Sequence, residues 1–79
     1  MKLKVISPEA VVFEGDVDSV TLPGAVGAFT VLKNHASIIS TLVKGTMIYR
    51  IIGSNEESRQ EIDGGIVDVD NNIISVCLY

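Results

Sequence analysis

The chain of 79 residues has no tryptophan, one cysteine, one histidine, two prolines and only four aromatic residues. Each shortage excludes something. The single cysteine, Cys77, cannot close an internal disulfide, and its place in the last apolar run predicts a small buried thiol in a reducing compartment. One histidine and one cysteine fall short of the four nitrogen or sulfur ligands of a structural zinc site, so no metal is expected. Basic residues are few as well. Six of them (Lys2, Lys4, Lys33, Lys44, Arg50 and Arg59) stand against ten acidic ones, for a net charge of −4. They are scattered and not interleaved with aromatics, which argues against nucleic acid as a partner. No apolar run is long enough to span a bilayer: the longest uncharged stretch, between Asp18 and Lys33, is shorter than the ~18 residues required and contains Pro23, Gly24 and Gly27. The start, MKLKVISPEA, has neither a continuous apolar region nor a small-residue cleavage site, so export is not expected.

What is present is aliphatic. Hydrophobic residues make up 47% of the chain, and with so few aromatics the core must come from Val, Ile and Leu, whose branched side chains favour strands. No segment sustains a helical period, and turn signals recur at roughly 6- to 12-residue spacing, the rhythm of an all-β sandwich or barrel. The expected fold is a small all-β sandwich or barrel of nine short strands. Residues 1–79 form one domain in this reading, and no helical arm is expected. The expected strands are Leu3–Ser7, Ala10–Glu14, Val17–Leu22, Ala28–Leu32, Ala36–Val43, Thr46–Ile52, Ser58–Ile62, Ile66–Asp70 and Ile73–Leu78. Pro23-Gly24 fits the centre of a type II turn, and Asn71-Asn72 suits a two-residue type I′ hairpin because Asn tolerates positive φ. Asp63-Gly64-Gly65 reads as a bulge or sharp bend, and Gly53 to Glu57 as a polar hairpin tip.

The motifs that could carry chemistry fail one by one. Gly24-Ala25-Val26-Gly27 has neither the lysine nor the following helix of a phosphate loop, and lacks the basic flanking helices of an RNA clamp. Asp68, Asp70 and Asn72 imitate the first ligand positions of a calcium loop, but the required glycine is Ile73 and the bidentate glutamate is Tyr79. His35 could serve as a general base with Ser7, Ser37 or Ser40 as nucleophile, yet no spacing pairs them and no nearby carboxylate orients the imidazole. No catalytic, cofactor or metal site is expected. Phe13 reads as core, and Phe29, in a glycine-framed loop, as a partly exposed ring of the kind that meets a partner.

An ordered set of residues then resembles a known family. It runs Leu3-x-Val5-x-Ser7-Pro8-Glu9, Phe13-x-Gly15-x-Val17, and Leu22-Pro23-Gly24-x-x-Gly27-x-Phe29-x-Val31-Leu32-x-x-His35-Ala36. A later Gly45 and Gly64-Gly65-x-Val67-x-Val69 complete it. The set resembles the N-terminal β-sandwich domain of the epsilon subunit of F-type ATP synthases. The resemblance implies a small flattened β-barrel or sandwich, raising the expected count to about nine to ten short strands, with no helical C-terminal domain in this chain. It also implies a non-catalytic part of the rotating central stalk, bound to the gamma subunit and the c-ring, with the catalytic alpha and beta subunits in the same complex. Its place would be peripheral, on the cytoplasmic face of the bacterial inner membrane, where it couples ion-driven rotation to ATP synthesis. Residue by residue, Val26, Gly27, Ala28 and Phe29 match the region facing the c-ring loops, and Ser7, Glu9 and His35 match regions facing gamma. Family members often carry a carboxylate where this chain has Ala28 and a Pro-Gly pair where it has Lys33-Asn34. Most bacterial members continue into a two-helix domain that restrains ATP hydrolysis, so the resemblance implies a short form without helix-based inhibition. The competing readings are a free-standing β-barrel that binds a small ligand and, more remotely, a minimal hydrolase centred on His35.

Overall fold

The computed structural model describes residues 1–79 as six β-strands: β1 (Lys2–Ile6), β2 (Val11–Gly24), β3 (Gly27–Leu32), β4 (Ile38–Ile51), β5 (Glu57–Asp70) and β6 (Ile73–Leu78). The chain is all-β, as its composition predicts. The strand count differs from the nine expected, and the difference has one cause. β2, β4 and β5 each run for 14 residues and each fuses two of the expected short strands.

The fused strands change partners midway. β2 pairs with β1 up to Asp16 and with β3 and β4 from Val17 onward. β4 pairs with the second half of β5 over Ile38–Val43 and with its first half over Gly45–Arg50. The second half of β5 then pairs with β6. Glycine at these corners bends the strand without ending it, because a strand crossing from one layer to the other brings backbones closer than a side chain allows. At Gly65 a Cβ would stand 2.3 Å from the carbonyl oxygen of Cys77, and at Gly45 it would stand 2.9 Å from Cβ of Pro23.

Strand order is β1-β6-β5-β4-β2-β3, and an added β1–β2 pairing closes the sheet on itself. The result is a flattened barrel with extents of 29 × 25 × 19 Å. β1 and β6 run parallel, and every other pair is antiparallel. The two-residue period of each strand sends one set of side chains inward. Leu3 and Val5, Val20 and Leu22, Val67 and Val69, and Ile74 and Val76 are buried in this way. They join Val17, Val31, Leu42, Met47 and Ile62 in a core that holds no buried polar side chain. Phe13 is half-buried against this core, its ring 4.6 Å from that of Tyr49 at 44°.

Two expectations are corrected. Cys77 is exposed, because Ile74 and Val76 point inward and residue 77 therefore points out. Pro23 and Gly24 are the last residues of β2, opposite Ala28 and Gly27, and the turn falls on Ala25-Val26. Proline is tolerated at that point because the β2–β4 ladder is interrupted between Thr21 and Gly24, so no donor is required of residue 23. The Asn71-Asn72 hairpin forms as expected, with φ of 49° and 62°.

Candidate functional site

The β2–β3 hairpin is built around its glycines. Gly24 lies beneath the ring of Phe29, where a Cβ would come within 2.9 Å of two ring carbons and 2.7 Å of the Gly27 carbonyl oxygen. Gly27 has open space around it but a φ of 127°, so its requirement is conformational. The Ala25 amide donates to the Thr41 carbonyl at 3.0 Å, fixing the tip against β4. The consequence for side chains is a division of labour. Phe29 is half-buried against the core and over Gly24, whereas Val26 at the tip is fully exposed, at 102% of its reference area. Ala28 is exposed on the outer face of β3. The structure therefore keeps Val26, Gly27, Ala28 and Phe29 in one hairpin, with Val26 as the projecting apolar group and the Phe29 ring packed over Gly24 and the core.

Ser7, Glu9 and His35 lie on two different loops. Ser7 closes the β1–β2 loop: its amide donates to the Ala10 carbonyl at 2.9 Å, and its hydroxyl lies 3.3 Å from both the carbonyl and the amide of Ala10. A serine in this role caps a turn, leaving Glu9 exposed at the bend. His35 sits in the β3–β4 connection, residues 33–37. Its Nδ1 is 2.7 Å from the Ala36 carbonyl, which can only accept, so Nδ1 carries the proton and Nε2 is free. This connection is joined to the β5–β6 turn. The Asn34 amide donates to Oδ1 of Asn72 at 2.7 Å, Nδ2 of Asn72 donates to Oδ1 of Asn34 at 3.1 Å, and the Ser37 hydroxyl donates to Oδ1 of Asp70 at 2.7 Å. The Asn72 carbonyl in turn accepts from the Lys2 amide at 3.0 Å, at the start of β1. Ser7 follows the other end of β1, so about 13 Å of strand separates it from the His35 connection.

No hydrogen bond joins His35 to a serine. The hydroxyl of Ser7 is engaged with Ala10, that of Ser37 with Asp70 and that of Ser40 with the Thr41 carbonyl. The one concavity is an open cleft beside the His35 connection, lined by Ser37, Ile38, Ile39, Asp68, Val69 and Asp70. It contains neither His35 nor a cationic group.

Sequence reasoning missed an apolar band on the outer face. Register aligns Thr41, Ile66, Cys77, Ile6 and Val11 across five strands. Ile66, Cys77 and Val11 are exposed there, with Val43 and Val12 beside them. Toward the Asn71-Asn72 end the same face becomes charged, with Lys4 opposite Glu14 and Lys2 opposite Asp16. Only the register brings these residues into a row, since they are far apart in the chain.

Known proteins resemble this chain along nearly its whole length. Residues 1–78 match the family described as the beta-sandwich domain of the ATP synthase delta/epsilon chain. A protein named ATP synthase epsilon chain from Leptospira interrogans is 38% identical over 76 residues, covering 96% of this chain and 58% of the relative. One of the same name from Nitratiruptor sp. is 42% identical over 72 residues, covering 91% and 55%. This chain thus spans a little over half the length of these relatives. Among solved structures, a chain of the Euglena gracilis mitochondrial ATP synthase, in an assembly of OSCP, F1 and c-ring, superposes with a TM-score of 0.89. It is 18% identical, and the match covers 96% of this chain and 48% of that one. A chain from the central stalk and c-ring of the Tetrahymena thermophila mitochondrial ATP synthase gives 0.83 at 17% identity, covering 99% and 62%. At such identities the structures establish a shared fold.

Proposed function

We propose that this chain, which belongs to the ATP synthase delta/epsilon-chain β-sandwich family, is a non-catalytic rotor element that binds the gamma subunit and the c-ring and so couples ion-driven rotation to ATP synthesis. The match to that family across residues 1–78 carries the reading. In this reading the chain is peripheral to the membrane, on the cytoplasmic face of a bacterial inner membrane, and is held there through the c-ring. It forms one β-sandwich domain over residues 1–79. The catalytic alpha and beta subunits are its partners only within the assembled complex.

Two surfaces support the assignment of contacts. The c-ring side is Val26, Gly27, Ala28 and Phe29, where an uncharged tip projects an apolar side chain with nothing of its own chain to cover it. The gamma side takes in Ser7, Glu9 and His35. Because Ser7 and His35 lie past opposite ends of β1, a partner touching both lies along the outer face of β1 and β6. The apolar band through Ile66, Cys77 and Val11 crosses that face near the Ser7 end.

The test is co-elution. Mixed with gamma at micromolar concentration on a sizing column, the two chains run as one complex, and separate elution at that concentration overturns the gamma reading. Val26→Asp lowers retention of the gamma-bound chain on detergent-solubilised c-ring, and undiminished retention removes the tip from the c-ring interface.

A further inference from the structure

We propose that Asn72 is a positioning residue that holds the His35 connection in place from across the fold. The inference rests on the reading of His35 as a gamma contact, and its geometry is independent of that reading. The connection has no strand pairing over residues 33–37, and its one internal backbone bond runs from the His35 amide to the Leu32 carbonyl at 3.1 Å. That bond closes the turn on β3 alone; the two links that tie the connection to the rest of the fold both come from the β5–β6 hairpin. Asn72 and Asn34 form a reciprocal pair through Oδ1 and Nδ2, and Asp70 accepts from Ser37 at the far end of the same connection. His35 lies between the two links.

The Asn72 side chain is available for this because of its backbone. Its φ of 62° completes the hairpin turn, and its carbonyl accepts from Lys2, so the residue is fixed before its amide is used. Asn34 also has positive φ, 66°, which sets the direction in which His35 leaves the turn while the Asn34 amide is held by Asn72. The hairpin thus serves as a template for a loop 38 residues away in sequence.

Asn72→Gly tests this without disturbing the turn, since glycine accepts the same φ. In the free chain the Asn34 amide exchanges with solvent about tenfold faster, the size expected for one to two net hydrogen bonds. Asn72→Asp keeps the acceptor for the Asn34 amide and loses only the donor, so Asn34 stays protected in that variant. An unchanged Asn34 rate in Asn72→Gly overturns the proposal, as does an Asn34 amide that loses as much protection in Asn72→Asp as in Asn72→Gly. Gamma binding is then measured on the same variants. Asn72→Gly weakens it and Asn72→Asp restores most of it. Faster Asn34 exchange with unaltered gamma binding leaves the link standing in the free chain and removes His35 from the gamma interface.

Discussion

At the β5–β6 hairpin the two turn residues take up positive φ themselves, 49° at Asn71 and 62° at Asn72, whereas at the β2–β3 hairpin Ala25 and Val26 do not and the strain falls on the next residue, Gly27, at 127°. The placement of the unusual dihedral decides what the turn can offer. Asparagine tolerates positive φ and brings an amide with it, so the first hairpin has a polar group to spend on its own fold. Once the dihedral is moved to a glycine, the tip positions are open to any side chain, and this chain puts an uncovered valine there. Both hairpins are tied to the fold, the second through the Ala25 amide on the Thr41 carbonyl, but only the first uses a turn side chain for it, and the second leaves its side chain to face outward.

The sharpest way to break the outward hairpin is Gly24→Ala. Its Cβ would meet the Gly27 carbonyl at 2.7 Å and the Phe29 ring at 2.9 Å. Overpacking of this kind costs about 2–3 kcal/mol, read as a lower denaturant midpoint at constant slope. Phe29→Ala comes next. A half-buried ring forfeits roughly half of the full-burial cost, about 2 kcal/mol, and a loss below about 0.5 kcal/mol would mean that the ring contributes nothing to the core. For the inward hairpin, Asn71→Ala costs about 1 kcal/mol through its left-handed backbone alone, and Asn71→Gly recovers it. The smallest effect on the fold belongs to Val26→Ser, within about 0.5 kcal/mol in thermal or denaturant unfolding, although the same change is expected to reduce c-ring binding. A stability loss there equal to that of Asn71→Ala would erase the distinction between the hairpins.

Much of this architecture is legible in the sequence, and the limits are physical. Alternation places Val20 and Leu22 inside and Ser19 and Thr21 outside, and Thr21 does meet Thr30 there, hydroxyl to hydroxyl at 2.8 Å. Asn71-Asn72 reads correctly because both residues of the turn advertise their φ. Pro23-Gly24 misleads for the converse reason: proline and glycine are common in turns, but here one fills a gap in a ladder and the other makes room for a ring. Gly15 and Gly45 look like stops because local pattern cannot tell the end of a strand from a corner in it, whereas the pair Gly64-Gly65 reads as a bend and does lie inside β5, with Gly65 against the Cys77 carbonyl. Cys77 was a matter of parity. The alternation of Ile74 and Val76 fixes its direction, and the apolar character of the run conceals it. Family resemblance points to the residues at the candidate surfaces, but nothing local joins Asn34 to Asn72, whose two turns are 38 residues apart and meet only in the fold.

The three bent strands give the molecule a property that its core alone would not. A sandwich whose layers met only through interlocking side chains could yield like two stacked plates, one sliding across the other. Here three continuous backbones pass around the corners from layer to layer, so shear between the layers has to deform covalent chain and its hydrogen-bonded ladders as well as displace apolar contacts. The arrangement is that of a folded box section, which resists twisting because its walls are one piece of material.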